Sequence, residues 1–223
     1  MSSLYPVVEA AVIGACLTIV LYALGTMAGR LGLWPAMARA GVGLGWFLAV
    51  WGLARVGAFD GTRGSGRAVE IAVILVSLAL GWALLASAQR ARASVADLVA
   101  IQASRMVAVV VLLALAGEAL PAWLALPIGL GDALVGLTAL GVARQLRRAA
   151  PGAARVTRAW SAAGVALAVF AMAAPIASAH SSGYFFSLYP LVLFPTFLAP
   201  CALALHAVTL KALRPPSLPE SAS

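Results

Sequence analysis

Residues 94–148 read SVADLVAIQASRMVAVVVLLALAGEALPAWLALPIGLGDALVGLTALGVARQLRR. Two apolar runs stand out, 98–117 and 123–143, and each carries polar residues where a membrane interior would lie. Gln102 and Arg105 fall in the first and Asp132 in the second. Each run matches the roughly 20 residues that an α-helix needs to cross a bilayer. Between them, Gly117-Glu118-Ala119-Leu120-Pro121 supplies a glycine to end one helix and a proline to open the next, so the stretch reads as a helical hairpin. A charge at mid-bilayer costs about 3 kcal/mol on insertion scales, so it faces protein or water and takes a partner. Arg105 and Asp132 are the first candidates to be each other's partner.

The flanking sequence has the same character. Of 223 residues, 63% are hydrophobic and 10% charged, and the mean hydropathy is +1.02, which excludes an ordinary soluble domain. No run alternates as a barrel strand does, so the fold class is all-α: one polytopic membrane bundle over residues 1–214, embedded in lipid. Seven spans are expected, at about 5–27, 38–57, 69–88, 95–117, 121–145, 157–179 and 188–213. The proline- and serine-rich tail, 215–223, is expected to be disordered. The first run has no basic residue ahead of it and exceeds a signal-peptide core, so it is read as a retained helix. Ala10/Gly14, Gly25/Gly29 and Gly41/Gly45 have the spacing of close helix packing, either within the bundle or on a homo-oligomer face.

The net charge of +8 would suggest nucleic acid in a soluble chain, but here the arginines sit in short loops and report topology instead. Arg30, Arg39, Arg90, Arg92, Lys211, Arg214 and the five arginines of 144–158 fall on one side, against Arg55, Arg63 and Arg67 on the other. The positive-inside rule then places the N-terminus outside and the C-terminus in the cytoplasm, in the cell's inner membrane. No nucleic-acid partner is read. Cys16 and Cys201 lie in spans and suggest neither a disulfide nor a metal cluster. The glycine-rich stretch from Asp60 to Arg67 lacks the Gly-Lys-Ser/Thr ending of a phosphate loop and reads as a turn. Glu9, Glu70 and Glu118 share the outer layer with Arg55, Arg63 and Arg67, as surface pairs.

With that topology, depth follows from about 1.5 Å per residue: Arg105 at about 12 Å, Asp132 at about 18 Å and His206 at about 7 Å above the cytoplasmic end. Gln102 lies one turn from Arg105 on the same face. The four form a polar column in the cytoplasmic half, read as a ligand- or ion-binding or gating site. Its alternative is a structural clamp. Gly129, Gly131 and Gly136 let another backbone or a ligand approach beside Asp132. Pro190, Pro195 and Pro200 mark the last segment as a hinge, and the carbonyls they free must be met by side chains or water. His206 is either a packing histidine or a single axial haem ligand, His180 being in the opposite loop. The only lysine, Lys211, is too near a helix end for a retinal Schiff base. No Ser-His-Asp or metal-spaced set is present, which leaves an intramembrane enzyme as the weakest reading and no particular cofactor implied.

The pattern Gln102-x-x-Arg105, Leu120-Pro121, Pro127-x-Gly129-x-Gly131-Asp132-x-x-x-Gly136, then Pro190, Pro195, Pro200 and His206, resembles an uncharacterised family of small bacterial seven-helix membrane proteins. The resemblance covers about 99–213, with the first three helices matching in hydropathy, and it implies no activity. The expectation carried forward is a protein that moves or senses a small solute or ion. The alternative is a non-transporting module, an accessory subunit or a cofactor-binding protein.

Overall fold

The computed structural model describes residues 5–60, 65–90, 94–118, 120–178 and 184–213, and among these no strand occurs. The tail, His180, Arg63, Arg92 and Arg214 lie outside the described residues. Helix α1 (Tyr5–Leu31) is followed after one residue by α2 (Leu33–Arg55). Gly32 alone makes the break, at a φ of 85° that favours glycine. The expected start of the second helix near 38 is therefore too late, because Pro35 sits in the first turn, where its missing N–H has no intrahelical partner to lose. Helix α3 spans Gly66–Arg90.

The two charged segments are not uniform α-helices. The first comprises α4 (Val95–Ile101), a 3₁₀ run over Gln102–Val110 and α5 (Val111–Ala116). The second comprises α6 (Ala122–Leu126), a π turn over Pro127–Gly131 and α7 (Asp132–Arg147). Helix α8 spans Ala153–Ala177, and a second π turn, Phe194–Leu198, leads into α9 (Ala199–Ala212). Among the described residues, six helical stretches are long and apolar enough to cross a membrane, namely Leu33–Arg55, Gly66–Ala86, Val95–Ala116, Ala122–Arg147, Ala153–Ala177 and Phe194–Ala212. Among the described residues of α1, Pro6–Tyr22 forms a shorter apolar helical stretch.

The last helix begins at 194, not 188. Pro190 lies ahead of it in a turn, so it is no hinge within the helix, while Pro195 and Pro200 occupy the second positions of the π turn and of α9. An α-helix would direct the N–H of residue 200 to the carbonyl of residue 196. Proline has none, and the Thr196 carbonyl instead accepts from the Ser77 hydroxyl at 2.7 Å, which itself accepts from Trp46 Nε1 at 2.9 Å. The requirement that a proline-freed carbonyl be met by a side chain is satisfied here, across α2, α3 and α9.

Both ends of the bundle are tied. At α4 the Ser94 hydroxyl accepts from Asp97 N at 3.1 Å, the expected cap, and the Asp97 carboxylate accepts from Arg147 of α7 at 3.0 Å. At the other end Glu9 accepts from Arg55 at 3.3 Å and from the Tyr189 hydroxyl at 2.5 Å, joining α1, α2 and the segment before α9. Burial and the Glu9 bond hold the Tyr189 phenol above its ordinary pKa. Glu70 departs from the surface expectation: it is 1% exposed, because Ser187 and Phe186 of the 3₁₀ turn Tyr184–Ser187 are buried at this end and Ser187 bonds its carboxyl group.

Replacing Ser77 by alanine strips a donor from the Thr196 carbonyl and an acceptor from Trp46, and each buried orphan costs about 1–3 kcal/mol. Ser77→Ala should therefore lower the melting temperature in detergent, and adding Pro200→Ala, which restores a backbone donor for residue 196, should recover part of the loss. Simple addition of the two single-variant effects would show that Ser77 does not serve this carbonyl.

Candidate functional site

The 3₁₀ run carries the site. With three residues per turn, positions i and i+3 eclipse, so Gln102, Arg105 and Ala108 form one ridge, and all three are buried. That ridge lies against α7. A Cβ added at Gly136 would stand 2.5 Å from the backbone nitrogen of Met106 and 3.0 Å from the carbonyl carbon of Arg105, so only glycine permits the approach. At Gly129 and Gly131 a Cβ would instead meet side chains, within 2.7 Å of Leu112 and 2.8 Å of Leu167, which would have to shift. All three are close-packing positions around Asp132.

Arg105 is the hub. One guanidinium nitrogen, Nη2, is ion-paired with Oδ1 of Asp132 in α7, and both side chains are buried. The other, Nη1, lies 2.7 Å from Nε2 of His206 in α9 and donates to the Gly164 carbonyl of α8 at 3.5 Å. A guanidinium can only donate, so Nε2 of His206 is the acceptor and its ring proton resides on Nδ1. Gln102 donates from Nε2 to the Ala202 carbonyl of α9 at 3.2 Å. The expected column of Gln102, Arg105, Asp132 and His206 is thus one contiguous cluster, while Pro190 lies apart from it.

Two contributors were not foreseen. Trp160 of α8 meets the His206 ring edge to face at 5.0 Å, and Gly164, one turn further on, leaves the space that the imidazole fills, since a Cβ there would overlap the ring. Their sequence signal is the pair Trp160-x-x-x-Gly164, a bulky residue and a gap on one helix face.

Beside the cluster is a cavity of about 10 Å³, lined by Gln102, Ser104, Arg105 and Asp132 on its polar side and by Ile19, Phe194 and Leu205 among its apolar residues. That volume suits one water-sized group. Among the described residues, Gln102 Oε1, Arg105 Nε, His206 Nδ1 and Ser161 Oγ are buried without a hydrogen-bond partner. No group of three or more metal-ligating side chains occurs among the described residues. Nε2 of His206 is engaged by Arg105, and its ring is held between Trp160 and Gly164.

The Gly164 gap makes a direct prediction. Gly164→Ala should push His206 off Arg105 and destabilise the protein by about 1–3 kcal/mol, the range for overpacking. Gly141→Ala, with nothing within 4 Å of the added carbon, should change the melting temperature little. Equal effects of the two in a detergent melt would remove the steric account of the histidine's seat.

No curated protein and no solved structure matches the chain. Residues 67–214, from the start of α3 to just beyond α9, match the description "Domain of unknown function (DUF8737)", a range that includes the whole polar cluster. The match spans well over half of the chain, which therefore belongs to that family of unknown function.

Proposed function

We propose that this is a seven-span protein of the bacterial inner membrane, N-terminus outside and C-terminus cytoplasmic, that moves or senses a small solute or ion at the Arg105–Asp132–His206 cluster. The observation that carries the reading is a coincidence of chemistry and backbone. Among the described residues, the three spans that supply Gln102, Arg105, Asp132 and His206 are also the three that leave α-helical geometry, through a 3₁₀ run and two π turns. Mid-helix 3₁₀ runs often mark a functional hinge or local strain, and π turns are frequent at functional sites. Unpartnered polar atoms on Gln102, Arg105 and His206 add support, because they leave hydrogen-bonding capacity for a small polar species.

A second reading, a structural module, is favoured by the tight closure of the pair: the adjoining space holds one water-sized group. A buried ion pair that serves only as a clamp can be replaced by apolar residues at little cost, while removing one partner costs about 3–5 kcal/mol.

Those energies make the double variant a folded protein in which the two readings can be separated by activity. Arg105→Met and Asp132→Leu should each destabilise strongly, and the double variant should regain most of the lost stability in a detergent melt. In liposomes loaded with a pH-sensitive dye, the wild type should pass protons or exchange them for sodium, and the refolded double variant should not. A double variant with wild-type flux, or a wild type without flux or ion-dependent stabilisation, would leave the clamp reading standing.

The orientation rests on the eleven-to-three imbalance of arginine and lysine between the two sides. A reporter fused after Arg214 should be active in the cytoplasm and one placed before Tyr5 outside. Both ends on one side would show that α1 does not cross.

A further inference from the structure

Next to the polar cavity lies a larger, apolar one of about 80 Å³, walled by α1, α2, α3, α4 and α9. Ile19 and Leu205 line both. On either side of them the lining divides between consecutive residues: Ile101 and Cys201 belong to the apolar crevice, Gln102 and Ala202 to the polar cavity. Ile19 and Leu205 are therefore the partition between an apolar crevice and the hub arginine.

The crevice is built to hold a chain. Arg39 stands at one end and Trp46 at the other, its indole fixed on Ser77, and the two are about 10 Å apart along α2. Gly43 between them leaves room: a Cβ there would meet Leu84 and Val20 at ordinary contact distances of 3.8 and 4.0 Å. Only Ala36, Phe47, Val50 and Ala54 of α2 are buried, so this wall of the crevice has much of its surface on the outside of the bundle.

The polar cavity specifies the other end of the occupant. Arg105 Nε is a buried donor without an acceptor, and Gln102 Oε1 a buried acceptor without a donor. One hydroxyl group can accept from the first and donate to the second. The charge of Arg105 is already balanced by Asp132, so a neutral head adds no uncompensated charge to the interior. We propose that the crevice is a lateral access route from the bilayer for an amphiphile with a single neutral hydroxyl head, its tail along Gly43 and Trp46 and its head past Ile19 and Leu205 at Gln102 and Arg105. This deepens the solute-binding reading of the cluster and rests on it.

The test uses the full chain in lipid nanodiscs and decanol brominated in mid-chain, with the matching brominated decane as the headless control. Bromine quenches nearby indoles, and subtracting the signal of Trp46→Phe isolates Trp46. The alcohol should quench Trp46 saturably, and the alkane should bind about tenfold more weakly, the loss expected for the head's hydrogen bonds. Gln102→Leu should reduce the alcohol to the alkane's affinity. Gly43→Leu, and independently Ala40→Leu, should abolish both, with helix content by circular dichroism unchanged. Equal quenching by alcohol and alkane would make the crevice an ordinary lipid groove, and an unaffected Gln102→Leu would show that the polar cavity holds water instead of the head. Quenching that survives both plugs would remove the route. Each of these failures leaves the ion response of the Arg105 and Asp132 variants as it was, so the parent reading is judged separately.

Discussion

A guanidinium buried in a lipid-embedded bundle has to be neutralised and hydrogen-bonded, and the packing around Arg105 follows from that requirement. Asp132 balances its charge, His206 and the Gly164 carbonyl take the remaining terminal nitrogen, and in doing so the side chain draws α7, α8 and α9 onto its own segment. The cluster is neutral overall, since an imidazole that accepts from a guanidinium carries no charge. Neutrality is what makes it tolerable at this depth. An unbalanced charge here would cost several kcal/mol, whereas the balanced pair roughly breaks even with apolar packing.

The helical irregularities follow from the same contact. A regular α-helix would rotate Gln102 and Arg105 out of line by their spacing of three, since 3.6 residues complete a turn. The 3₁₀ run stacks them with Ala108 on the side facing α7 and turns Met106 and Val109, both about half exposed, toward lipid. Long 3₁₀ runs are uncommon because their hydrogen bonds are poorer. This one is held by the backbone approach that Gly136 permits, and a side chain at that position would force the two spans apart.

How much of this was legible in the sequence depended on whether the cause was local. Apolar runs of membrane length, the Ser94 cap and the need of a buried charge for a partner are local or nearly so, and they located the helices, the boundary at Ser94 and the pairing of Arg105 with Asp132. The start of the last helix at Phe194 was missed because three prolines in one apolar run give the same hydropathy whether the chain is coiled or helical. The carbonyls of Gly164 and Ala202 that accept from Arg105 and Gln102 leave no trace in residue type, unlike the gap that Gly164 provides for the imidazole. That some side chain must meet the carbonyl freed by Pro200 was foreseeable, but which one depends on how α3 lies against α9, and Ser77 carries no local sign of it. The burial of Glu70 likewise comes from a turn more than a hundred residues away in the chain.

The polar atoms without partners bear on why the chain keeps this cluster at all. A clamp needs the ion pair and little else, and a composition that is 63% hydrophobic has ample apolar residues with which to pack the rest. Instead Gln102 Oε1, Arg105 Nε and His206 Nδ1 are buried with unused hydrogen-bonding capacity, and each such group costs about 1–3 kcal/mol if it stays unused. Replacing Gln102 by leucine would remove one of these orphans, together with the bond to the Ala202 carbonyl. Donor and acceptor belong to residues of one short ridge beside a space of one water's size, so a group carrying both functions would relieve the penalty there. A receptor for a small neutral polar group, the reading we propose, would use that capacity, whereas a bolt between helices would leave it idle.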